Sequence, residues 1–98
     1  MAKNSARAAG AVVPSFMRKS FLWGLLSEVL EDFDLQWRIG RGARHWYIEV
    51  TVGHVARKHF FSPDTGDRRG SENNAAQLRR IIIMTARANL GEAHAREA

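Results

Sequence analysis

One histidine in this chain stands where a proton could be moved. His45 follows the run Gly40-Arg41-Gly42-Ala43-Arg44 and opens the stretch HWYIEVTV. Histidine titrates near physiological pH, so its neutral ring can accept a proton. With guanidinium groups on a phosphate, that proton could come from a ribose hydroxyl. Attack of the hydroxyl on the adjacent phosphate then cleaves RNA with one base, one acid and no metal. The same position also suits an ordinary surface histidine, so binding without cleavage is the competing reading.

Other chemistries lack their signatures. The chain has no cysteine, which removes disulfides, thiolate zinc sites and a cysteine nucleophile. His45, His54 and His59 could approach one another in one hairpin, but no HExxH-like spacing accompanies them, so no metal is expected. Gly40-Arg41-Gly42 lacks the remaining glycines and the Lys-Ser/Thr ending of a phosphate-binding loop. No cofactor is expected.

Charge points to a polyanion. Fifteen Lys and Arg oppose ten Asp and Glu, a net +5, and only Lys3, Lys19 and Lys58 among the cations are lysines. Guanidinium binds phosphate bidentately and stacks on bases. The candidates are Arg38, Arg41 and Arg44 around the first turn and Arg68, Arg69, Arg79 and Arg80 at the start of the last helix. A helix start offers free N–H groups that also suit a phosphate. If these groups meet in space they form one anion-attracting patch; if not, they are a solvated charged surface.

The elements that must position them follow from periodicity. A helix is expected over Ser15–Asp32, capped by Ser15 or Ser20, with Phe21, Leu22, Leu25, Leu26, Val29 and Leu30 in one apolar stripe. Three strands follow. FDLQWRI turns Leu35, Trp37 and Ile39 to one face, and HWYIEVTV turns Trp46, Ile48, Val50 and Val52 to the same side. GRGAR is expected as the turn between them. Gly53 and His54 lead into VARKHFF. A two-residue loop there sets Glu49 opposite Lys58 and turns Arg57 and His59 to the core face. A three-residue loop turns Ala56 and Phe60 there instead. The last helix starts at Asp67 or Ser71, either of which can cap it, and runs to Asn89, with Gly91 ending it or EAHAREA fraying. The fold class is α+β: a two-layer α-β-β-β-α sandwich, with a three-stranded antiparallel sheet and two helices on one face. Residues 1–14 read as a flexible basic leader, 15–90 as one domain and 91–98 as a frayed tail. With 45% hydrophobic residues a core is within reach. No run is long and apolar enough for a bilayer, so no membrane partner is expected.

The α-β-β-β-α order, RGARHWYIEV and a closing basic helix resemble the HicA-like family of small toxins. They also resemble short phage and prophage proteins whose last helix follows an SPSDRR-like turn, here SPDTGDRR at Ser62–Arg69. The resemblance spans roughly residues 20 to 88. It implies a double-stranded-RNA-binding-domain-like fold, RNA cleavage by one histidine in a Gly-Ser-His turn, and an antitoxin partner. Gly42 and His45 match that turn, while Ala43 and Arg44 stand where one serine is expected.

Two functions follow. The first is a small cytoplasmic module of phage or mobile-element type that binds nucleic acid, RNA foremost, with cleavage through His45 as its extension. The second is a non-enzymatic inhibitor or regulator of a host protein complex. It would dock through Phe16, Leu22, Trp23, Leu26 and Leu30, because the first helix is more apolar than one small sheet requires. A homodimer built on that stripe is compatible with both.

Overall fold

Proline and serine divide the first helical segment. The structure, a computed structural model, describes residues 13–63 and 67–97. Most of the expected leader, residues 1–12, lies outside the described residues. Pro14 leads into a single turn, α1 (Ser15–Arg18), and α2 follows at Phe21–Asp32. The break lies at Ser20. Its hydroxyl donates to the Met17 carbonyl at 2.8 Å and accepts the Trp23 N–H at 3.0 Å, which caps α2. One expected helix is therefore two, because a serine cap competes with helix continuation. Val13, assigned to the leader, packs against the core.

Three antiparallel strands form one sheet in the order β1 (Gln36–Arg41), β2 (Trp46–Val52), β3 (Val55–Phe61). The last helix, α3 (Arg68–Glu97), returns across it. Strand β1 ends later than expected: Gly40 and Arg41 pair with Tyr47 and Trp46 and belong to the ladder, not to the turn. Gly40 is tolerated there because Tyr47 fills its space; a Cβ on Gly40 would stand 2.3 Å from the tyrosine ring.

The second hairpin takes the two-residue alternative. Val52 pairs with Val55 and Glu49 with Lys58. Gly53 has φ 62°, a left-handed conformation that glycine adopts without strain. A Cβ on Gly53 would come within 2.1 Å of the Asn89 side chain, so α3 closes over the turn only because nothing is there. His59 consequently faces inward opposite Ile48 and is 3% exposed. Arg57 shares that side but is exposed, because β3 is an edge strand.

The core lies between sheet and helices. Leu22, Leu26 and Leu30 of α2 meet Ile48, Val50 and Phe61 of the sheet and Leu78 and Ile82 of α3 in one buried cluster. Truncating one such leucine costs about 2–5 kcal/mol. Trp23 is 8% exposed and packs at 5.8 Å on Trp37. At the start of α3 Asp67 is the cap: its carboxylate accepts the Arg69 and Gly70 N–H groups, both at 3.2 Å. Ser71, the other candidate, is fully buried instead. The helix runs through Gly91 to Glu97, since alanine and glutamate sustain it beyond the expected end at Asn89. Among the described residues no helix is long and apolar enough to cross a membrane.

Two outcomes test this packing. Gly53→Ala should destabilise the protein by about 1–3 kcal/mol in urea unfolding, from strained φ and the clash with Asn89. Adding Asn89→Ala should recover the steric part, and strict additivity of the two changes would refute the contact. Burial holds the His59 imidazolium below its ordinary value of 6.5, against the opposing hydrogen bond to Asn74. The unfolded chain therefore takes up this proton first as pH falls. Stability should be complete above about pH 6.5 and decline on acidification below it. Thermal melts from pH 5 to 8 should show a flatter profile for His59→Gln; parallel profiles would assign the loss elsewhere.

Candidate nucleic-acid interface

The first hairpin gathers three of the predicted site residues. Past the Arg41–Trp46 pair, the Gly42 N–H donates to the His45 carbonyl at 2.8 Å. Only Ala43 and Arg44 remain at the tip. Arg41, Arg44 and His45 thus crowd the end of the sheet from which β3 leaves toward α3.

There they line one side of a cleft of about 210 Å³. Phe16 and Trp46 line it too, with Phe61, Ser62 and Pro63 closing the rest. The guanidinium of Arg41 lies 5.2 Å from the Trp46 ring centre, a cation–π contact that holds it over the opening. Phe16 meets Trp46 edge-on at 5.8 Å and remains 56% exposed. The volume is below the 300–1,000 Å³ usual for whole small ligands. It suits a phosphate or a sugar, with two cations, an imidazole and three aromatic rings around it. Among the described residues Arg41 and Arg44 form no ion pair.

The other five arginines do not join them. Arg38 lies on the opposite sheet face, where its Nε donates to Glu49 Oε1 at 2.7 Å; that hydrogen bond and charge raise its pKa further. Arg79 bridges α3 to α2 through Asp32 at 2.8 Å and lies over Phe33. Arg68 stacks over Phe21 and stands 3.7 Å from Glu72. Arg69 and Arg80 are exposed on α3. The expected single patch of seven is therefore a group of two with a histidine, plus five dispersed arginines, three of them facing carboxylates. The N–H groups at the start of α3 are likewise committed, because Asp67 accepts two of them.

The remaining expectations resolve similarly. His59 Nε2 lies 2.7 Å from Asn74 Oδ1 inside the fold, and His54 belongs to the opposite turn, so the three hairpin histidines do not converge. Among the described residues no group of three metal-ligating side chains forms. Of the five residues expected to anchor a partner, Leu22, Trp23, Leu26 and Leu30 are in the core. The stripe is wide because it packs against both the sheet and α3, and Phe16 alone of the five is exposed.

Trp46, assigned only to the core, and Phe61 were not expected in a site, nor was Phe60, which is 53% exposed. Which of Phe60 and Phe61 turns toward the cleft follows only once the second turn is known to hold two residues. No protein-family model, curated protein or solved structure matches the chain.

Proposed function

We propose that the protein is a small nucleic-acid-binding module, RNA foremost, acting in the cytoplasm, and that the cleft at the end of the first hairpin receives a backbone phosphate. One observation carries this reading: Arg41 and Arg44, free of carboxylates among the described residues, line the same cleft as His45 beside the exposed ring of Phe16 and the half-buried ring of Trp46. Guanidinium offers bidentate donors to phosphate, and the rings offer a surface to a sugar or base. The net charge of +5 adds long-range attraction. Four of the five anchors of the alternative reading, docking onto a host protein, are covered by the chain itself, and that reading retains only Phe16.

Cleavage is the extension of this proposal. His45 lines the cleft with both arginines, the grouping needed for a base beside a neutralised phosphate. The antitoxin partner implied by the family resemblance belongs to this extension.

Fluorescence anisotropy with labelled RNA and DNA across a salt series tests the binding. Affinity should fall linearly in log–log form. Arg41→Ala with Arg44→Ala should reduce the single-strand slope by about 1.4, or 0.7 for each lost phosphate contact. No binding of any RNA or DNA at low salt would end this reading. His45→Ala should retain binding and lose any cleavage of labelled RNA. Equal cleavage by both proteins would remove His45 as the base.

A further inference from the structure

The sheet face turned away from the helices carries rings that the core does not use. Tyr47 and Phe60 are directly paired across β2 and β3 on that face, with ring centres 5.6 Å apart and planes at 64°. Tyr47 lies down over Gly40, where no side chain could fit beneath it. Phe60 stands beside Gly42 and is 53% exposed. The Lys58 ammonium sits 4.6 Å from the Tyr47 ring centre and makes no ion pair among the described residues. Arg38 is on the same face but is neutralised by Glu49.

An aromatic cross-strand pair also stabilises a sheet. That role does not require Phe60 to remain half in water, nor Lys58 to lie over the Tyr47 ring while Glu49, the carboxylate opposite it, pairs with Arg38 instead. Flat rings with an adjacent cation suit a nucleobase and its phosphate, because every base has a π-face. Bases within a duplex are stacked on one another and are not offered to such a surface, whereas a single strand can splay them. The arginine cleft begins one residue along the ladder: Gly40–Tyr47 belongs to this face and Arg41–Trp46 to the cleft. A strand can therefore pass around the hairpin tip at Arg44, with phosphate on one side and base on the other.

We propose that the protein recognises single-stranded nucleic acid, stacking a base on Phe60 against Tyr47 while its backbone continues past Arg44 into the cleft. The proposal rests on the nucleic-acid reading above and specifies the form of the ligand.

The test compares the intact protein with Phe60→Ala and Phe60→Tyr, using single-stranded and duplex oligonucleotides of one sequence as RNA and as DNA. Single strands should bind at least tenfold more tightly than duplexes. Phe60→Ala should weaken single-strand binding about tenfold and leave duplex binding unchanged; Phe60→Tyr should bind like the parent. Melting curves establish that each variant is folded at the assay temperature. If duplex binds as well as single strand, or Phe60→Ala binds normally while the Arg41→Ala, Arg44→Ala protein does not, the stacking surface is refuted and the phosphate cleft stands. If no nucleic acid binds, both fall. Light scattering that shows a dimer lost in Phe60→Ala would assign the face to a second copy of the chain and overturn the proposal.

Discussion

The length of the turn between β2 and β3 governs everything else in this molecule. Two residues, Gly53 and His54, set Val52 against Val55, and every residue of β3 then has a determined side. One more residue would exchange the faces. His59 would leave the interior, Phe60 would enter it, and Phe61 would no longer line the cleft. The turn is held by a negative feature, the missing side chain of Gly53, into whose space α3 places Asn89. The fold thus couples a backbone conformation near one end of the sheet to the aromatic arrangement at the other.

Carboxylates decide which cations are available. Asp32, Glu49 and Glu72 each face one arginine, and Asp67 occupies the start of α3. These pairs are half exposed or more on at least one side, so each contributes little to stability. Their larger effect is on the surface potential, which they reduce locally around Arg38, Arg68 and Arg79. Around the hairpin tip no such neighbour intervenes among the described residues, and positive charge persists where the chain also exposes Phe16 over the half-buried Trp46.

Much of the architecture was legible beforehand. Period-two alternation placed Trp46, Ile48, Val50 and Val52 on the inner face, and the helical stripe from Leu22 to Leu30 supplied the opposing layer. The order of elements followed from those two periods. The third strand's register did not, because turns of two and three residues both satisfied the local pattern, and the contact that favours one comes from Asn89 in another element. The site was half legible for a related reason. Arg41, Arg44 and His45 are neighbours in the chain, so their proximity needed only a tight hairpin. Whether Arg79 was free depended on how α2 packs on α3, and only that packing brings Asp32 to it. The apolar stripe looked too wide because its second customer, α3, lies far along the sequence.

The last helix has a consequence for how this surface can be connected to anything else. It departs from the cleft end of the sheet, reaches the opposite end at Asn89, where it meets Gly53, and continues to Glu97. At 1.5 Å per residue that adds about 12 Å past the turn. A reporter or a tether joined downstream would be held away from the arginine cleft by a stiff spacer, and could be attached without obstructing access to it.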